Sequence, residues 1–217
     1  PGGQRIRVRM AALLMTYAGL AVFLSQDVVT RLFAWTGLDL IVFLVYALLA
    51  RGDALPPQAV RQLTFNALSS GLVLVGAISA GSAGHDPLVT SSATTSTLML
   101  AAAAFRLGLF PLHVALPGPA EVRQGLAVQL RLVPALAGFE WLCRLTGSGF
   151  NPDVRMAVSL LGIFAAWTGA VQIWNSVNAR DALPSLVIAA SGIAAIASQW
   201  VGLTALITLA LTLALGG

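Results

Sequence analysis

Lysine is missing from this sequence, and charge of either sign is scarce. All twelve basic residues among the 217 are arginine, eight residues are acidic, and only 9% of the chain is charged, where soluble domains carry roughly a quarter. With 58% hydrophobic residues, there is too little polar surface for a chain solvated by water on all sides. Cysteine occurs once, at Cys143 in an apolar run, which excludes an intramolecular disulfide and a thiolate metal cluster and leaves a small buried hydrophobe. Histidine occurs twice, at His85 and His113. These fall at turns or helix ends on opposite sides of the topology derived below, which excludes a shared metal site. No glycine-rich dinucleotide loop, P-loop, zinc motif or nucleophile elbow is present. Nor does any ten-residue segment alternate apolar with polar residues as a membrane barrel requires.

What the sequence does have is apolar runs of roughly twenty residues, the length that crosses a hydrocarbon layer, where the apolar strands of soluble cores stop after about four to eight. Eight are expected, at approximately 10–26, 29–50, 63–83, 93–114, 126–146, 155–177, 183–199 and 201–215. With barrels excluded, the fold expected is all-α, a polytopic transmembrane bundle forming a single domain over residues 1–217. Helix contacts are expected at small residues: Gly71 with Gly76, Gly162 with Gly169, and the cluster around Ala189, Gly192 and Ala195. Arg5, Arg7 and Arg9 precede a run that reads as a retained helix rather than a cleaved leader. The short last run and the initial Pro1 read as a piece of a longer chain.

The excess of four positive charges encodes orientation in such a chain, and no nucleic-acid partner is expected. With a cytoplasmic N-terminus, Arg5, Arg7, Arg9, Arg51, Arg61, Arg123 and Arg180 all fall at cytoplasmic ends or turns. The opposite turns hold Gln26-Asp27, Gly84 to Pro87 and Gly147 to Asp153, with Arg31, Arg144 and Arg155 near their edges. The expected location is the inner or cytoplasmic membrane.

Charges at membrane depth carry the functional information. Asp39, Arg106, Arg131 and Glu140 lie well inside apolar runs, and an Asp or Arg at the bilayer centre costs ~2.5–3.5 kcal/mol on insertion scales. Such groups must face the bundle interior and find partners, and Asn66, Gln129, Gln172, Asn175 and Gln199 offer polar company. The plain alternative is structural glue, with Arg131 and Arg144 snorkelling to an interface. Glu140 precedes Arg144 by four residues, the favourable order for a pair within one helix. Arg131 stands close to Pro134.

Arg106 opens the stretch FRLGLFPLHVALP, residues 105–117, in which Pro111 and Pro117 break a helix. His113 follows the first break, where a local polar contact suits it better than axial ligation of a haem or chlorophyll. This stretch resembles the broken-helix signature of the antiporter-like membrane subunits of complex I, the NADH:quinone oxidoreductase, shared with related hydrogenases and cation/proton antiporters. That pattern is approximately F-K-x-x-x-F-P-x-H-x-W-L-P. Phe105, Phe110, Pro111, His113, Leu116 and Pro117 match it, with Arg106 at the Lys position and Ala115 at the Trp position. AWTGLDLIVFLVYALL is similar to the family helix beginning W-E-x-x-x-x-S-Y-L-L. The segments ending FEWLCRL and NARDALPSLVIAASGIAAIA resemble its G-x-Y-L-L-L-R-L and D-L-K-R-x-L-A-Y-S-S segments. The likeness covers about residues 10–200, roughly one half of the family's pair of inverted five-helix repeats.

The resemblance implies proton translocation by a Glu–Lys pair and a second Lys in the following helix, and those positions are altered. Thr36 stands at the Glu position, Arg106 at the first Lys, Ala135 or Leu136 at the second, and Arg131 near a family His. A buried lysine can lose its proton through desolvation, whereas arginine keeps its charge. Asp39, three residues after Thr36 and one turn along on nearly the same face, is the expected partner of Arg106 in a relocated ion pair. Three functions follow, in order of preference. The first is a structural or docking subunit of a larger membrane complex, degenerate in its relay. The second is an active proton- or ion-translocating subunit of a redox or inorganic-carbon transport complex, working through carboxylates. The third is a pigment or haem scaffold. No cofactor is expected in this chain, and its expected contacts are lipid and other membrane subunits.

Overall fold

In hydrocarbon, backbone N–H and C=O groups must be satisfied within their own segment, so long apolar runs become helices. The computed structural model describes residues 2–49, 57–82, 92–107, 124–147, 152–177 and 179–201. Over these residues it contains seven helices: α1 (Gly2–Leu24), α2 (Val28–Leu49), α3 (Pro57–Ser82), α4 (Ala93–Leu107), α5 (Gln124–Gly147), α6 (Pro152–Trp174) and α7 (Ala179–Val201). The described parts of the first seven expected runs fall largely on these seven helices in order. The eighth lies outside the described residues apart from Val201, the last residue of α7. The helix ends differ from the apolar runs. α1 begins at Gly2 and takes in Arg5, Arg7 and Arg9, and α3 begins at Pro57, because helical hydrogen bonding continues past the edge of an apolar run into its polar flank. α4 is described to Leu107, so Pro111, His113, Ala115 and Pro117 of the expected break lie outside the described residues, as does His85.

Local chemistry explains the ends. α1 stops where Ser25 turns its hydroxyl back to the Val22 carbonyl. Asp27 then caps α2: its Oδ1 accepts the Thr30 backbone N–H at 2.7 Å, and its Oδ2 accepts the Thr30 hydroxyl. Ser92 does the same for α4, accepting the Thr95 N–H at 3.2 Å. Pro57 and Pro152 open α3 and α6, where a missing N–H costs nothing. Pro134 is different, since it lies inside α5 and the helix continues through it.

α2, α3 and α6 are long and apolar enough to cross a membrane, and α1 and α7 carry shorter apolar segments. The outer surface has the chemistry lipid demands. Phe33, Leu24 and Trp167 are among its large exposed side chains. The exposed threonines Thr16, Thr36, Thr64 and Thr97 each bond a carbonyl four residues back in their own helix, which satisfies a hydroxyl that lipid cannot. The molecule is an integral membrane protein.

Five helices close on themselves. α1 packs on α2, α2 on α3, α3 on α4, α4 on α5 and α5 back on α1, with α2 also meeting α5 across the middle. α6 and α7 form a tightly packed pair joined to this ring chiefly through α5 and α7. That pair rests on small residues. A Cβ at Gly162 would lie 2.8 Å from the Gly192 carbonyl oxygen, and one at Gly169 would lie 2.6 Å from the Ala189 backbone nitrogen. The expected Gly71–Gly76 site resolves differently. Gly76 faces Met99 of α4, whereas Gly71 is exposed with nothing near its missing Cβ, because a separation of five positions rotates the two glycines to different faces.

Substituting Gly169→Ala should lower the thermal midpoint in detergent by an amount equivalent to roughly 1–3 kcal/mol, since the new methyl meets backbone that cannot yield. Gly71→Ala, placed on the open face, should leave the midpoint unchanged. The cap at Asp27 makes a pH prediction. The Thr30 side-chain and backbone hydrogen bonds hold its carboxyl below its ordinary value of 3.8. A lowered folded value stabilises α2 above that ordinary value and loses the contribution as pH falls through the folded one. The midpoint difference between the wild type and Asp27→Ala should therefore stay constant from neutral pH to about 5, and shrink only below about 4.

Candidate buried charge site

The site is built on one face of α2. Arg31, Trp35 and Asp39 recur every four residues, so they stack along the same helix face, and all three are buried. Asp39 lies eleven residues from the start of α2 and ten from its end, at mid-depth of the span. α4 delivers Arg106 to it from its last turn. The pair is bidentate: Arg106 Nη1 donates to Asp39 Oδ1 at 2.9 Å, and Nη2 donates to Oδ2 at 2.7 Å. Two groups on α3 complete it. Asn66 Nδ2 donates to Asp39 Oδ1 at 3.0 Å, and Arg106 Nη2 reaches Ser70 Oγ at 3.2 Å. The guanidinium carbon of Arg106 lies 4.0 Å from the centroid of the Trp35 ring, a distance at which the ring face attracts the cation. Close approach of α4 to α5 depends on Gly138, where a Cβ would fall 2.7 Å from Arg106 Cβ.

A second charge cluster lies nearer the α1–α2 turn. Glu140 of α5 is shared by two arginines: Arg31 Nη1 at 3.1 Å, and Arg144 Nε of the next turn in a short contact. Arg31 is held further by Ser25, its Nε donating to the hydroxyl at 3.2 Å and its Nη2 to the carbonyl. Arg144, about a third exposed, donates to the Phe23 carbonyl at 3.2 Å. The cluster thus clamps α1, α2 and α5 together at one end of the ring. Arg31 also lies 5.0 Å from the centroid of the Trp141 ring, and Trp141 meets Trp35 edge to face at 5.8 Å.

The structure therefore brings Asp39 and Arg106 together, with Asn66 as company, and groups Glu140 with Arg144. Arg131 lies on α5, and its side chain is outside the described set. Thr36 takes no part. It is exposed and bonded to the Leu32 carbonyl, because three residues turn the helix by less than a full circle and leave Thr36 outside the buried edge where Asp39 sits. Ala135 is buried and Leu136 half-buried, both in the apolar core. Gln172 and Gln199 do not extend the seam: they bond Ser185 and Ser159 across the α6–α7 pair. Asn175 is exposed, and Gln129 Oε1 is buried without a hydrogen-bond partner. Arg31 is the residue that sequence reasoning misses, since its place near a turn makes it read as an orientation charge. Its spacing of four and eight residues from Trp35 and Asp39 is the available signal.

Fold and site define a polytopic helical membrane protein whose interior is pinned by two arginine–carboxylate clusters. No family model matches the sequence. Among curated proteins it is similar to NADH-quinone oxidoreductase subunit N of Xanthomonas euvesicatoria pv. vesicatoria (strain 85-10), 31% identical over 159 residues, covering 64% of this chain and 32% of that protein. The chain thus spans about a third of the length of this relative. This similarity agrees with that of the broken-helix stretch, and the chain resembles the antiporter-like membrane subunits of complex I.

Breaking the mid-depth pair on one side leaves a buried charge unmatched. Asp39→Leu or Arg106→Met alone should destabilise by roughly 3–5 kcal/mol, while the joint Asp39→Leu, Arg106→Met variant should recover most of the loss. Unfolding midpoints of the three variants in one detergent measure this, and a double variant as unstable as the sum of the singles would mean that the two charges do not act as a unit.

Proposed function

We propose that this chain is a structural or docking subunit of a larger membrane complex, derived from the antiporter-like family but without that family's proton relay. The observation that carries the reading is the Asp39–Arg106 pair. Both carboxylate oxygens are bonded, Asn66, Ser70 and Trp35 surround the pair, and the cation is one that does not release its proton. A relay group must change its protonation state during each cycle. A bidentate guanidinium–carboxylate pair at mid-depth resists that, because removing either charge strands the other in low dielectric. The second cluster has the same character, with two arginines on one glutamate. The pin fixes α2, α3 and α4 to one another and presents a rigid bundle to neighbours.

The finer features belong to this proposal. The chain forms an eighth span over 201–215 and a broken helix at 106–117, completing one half-repeat of the antiporter-like fold. Its N-terminus is cytoplasmic, it holds no redox cofactor of its own, and other membrane subunits and lipid cover its outer face. Support comes from the similarity to subunit N, from the arginine distribution and from the altered relay positions.

Two measurements on one preparation test the reading. The tagged chain, solubilised gently from its native membrane, should carry other membrane subunits identifiable by mass spectrometry. Reconstituted into liposomes, it should show no proton flux above protein-free vesicles. Flux that is present in the wild type and disappears in Asp39→Asn would overturn the structural reading in favour of a carboxylate-based relay.

A further inference from the structure

Among the described residues, charged side chains occupy the ring interior on two levels. On the level of the α1–α2 turn stand Ser25, Arg31, Glu140 and Arg144. Deeper, beyond Trp35, stand Arg106, Asp39, Asn66 and Ser70, and Gln62 is buried one turn further along α3. From Arg31 to Asp39 the climb along α2 is eight residues, or about 12 Å. Across that interval the interior holds two indole rings. Trp35 and Trp141 are both completely buried, meet at 5.8 Å with planes 75° apart, and carry one guanidinium each: Arg106 on Trp35 and Arg31 on Trp141. The order through the molecule is Arg31, Trp141, Trp35, Arg106.

We propose that Trp35 and Trp141 form a seal between the two charge clusters, a pair of edge-to-face rings that lets the bundle hold buried charge at two depths without a continuous polar path for water and protons between Glu140 and Asp39. The chemistry of the rings fits this role. Neither indole N–H has a hydrogen-bond partner although both are fully buried. The pair contributes bulk and π-faces at this level. Each ring face takes a cation and shields part of the guanidinium surface that its carboxylate leaves open. Leu38, Phe139 and Leu142, all fully buried, flank the two rings in sequence and leave apolar surface around them.

This inference rests on the structural reading proposed above, and the test separates the two. The 217-residue chain is reconstituted in liposomes loaded with a pH-sensitive dye, and proton leak is followed under a potassium diffusion potential. Wild type and Trp35→Phe, Trp141→Phe, which keeps ring faces and discards the unbonded N–H groups, should be as tight as protein-free vesicles. Trp35→Ser, Trp141→Ser, which puts hydroxyls between the clusters, should leak at least about ten-fold faster, as polar groups in a span open water paths. Asp39→Asn in that background should slow the leak. A Ser variant that is monodisperse, as helical as the wild type and equally tight overturns the seal and leaves the structural reading standing. A Phe variant as leaky as the Ser variant, or a wild type that leaks regardless of Asp39, overturns the seal too. A wild type whose flux depends on Asp39 overturns the structural reading instead. Should the double Ser variant lose its monodisperse profile, Trp141→Ser alone is expected to leak in the same way, and its tightness would equally overturn the seal.

Discussion

A carboxylate placed halfway through a hydrocarbon layer has to be neutralised where it stands, and the described structure is arranged around meeting that demand at Asp39. An unmatched Asp or Arg at this depth costs ~2.5–3.5 kcal/mol or more. Arg106 answers with a two-pronged bond, Asn66 with a third, and Trp35 covers the cation. Because these groups come from α2, α3 and α4, the pair fixes three helices relative to each other. Coulomb attraction is what it supplies between helices whose apolar surfaces gain nothing by leaving lipid for one another.

The Glu140 cluster performs a related task at one end of the ring. It collects Arg31 of α2, Arg144 of α5 and backbone acceptors at the end of α1. A helix pair held mainly by glycine contacts, α6 with α7, shows the other solution available in lipid, in which close backbone approach adds dispersion to the Gln172–Ser185 and Gln199–Ser159 hydrogen bonds. The protein uses polar locking inside the ring and close packing outside it. The chemistry distinguishes a lock from a relay. A relay needs a group that releases its proton, and arginine is the one basic side chain unsuited to that. Under the reading proposed above, an arginine where the resembled family has lysine changes what the position can do while preserving its charge.

Much of this arrangement is legible in the residues themselves, for specific reasons. Helix existence follows from run length, since hydrocarbon admits no other backbone solution for a chain without strand alternation. The depth of Asp39, Arg106 and Glu140 follows from their position in those runs. The partner of Arg106 is narrowed by scarcity: with so few carboxylates at depth, Asp39 is the natural candidate. The helix ends are less legible, because α1 continues through three arginines that a hydropathy reading excludes. Thr36 and Gly71 mislead for one reason. A difference of three or five residues fixes an angle around a helix but not where the buried sector begins, and that boundary depends on which neighbours arrive.

By itself, then, the sequence determined that this is a bundle of apolar helices, that its interior holds charge, and that with no lysine its permanently charged basic groups are arginines unable to cycle. Those are properties of composition and run length, and no arrangement of helices alters them. Tertiary structure alone decided that Glu140 has two cations instead of one, that Arg31 belongs to the interior, and that two tryptophans from α2 and α5 meet between the charge clusters. Each of those facts depends on residues more than a hundred positions apart being brought to the same depth, and depth is set by how helices pack, which local sequence does not encode.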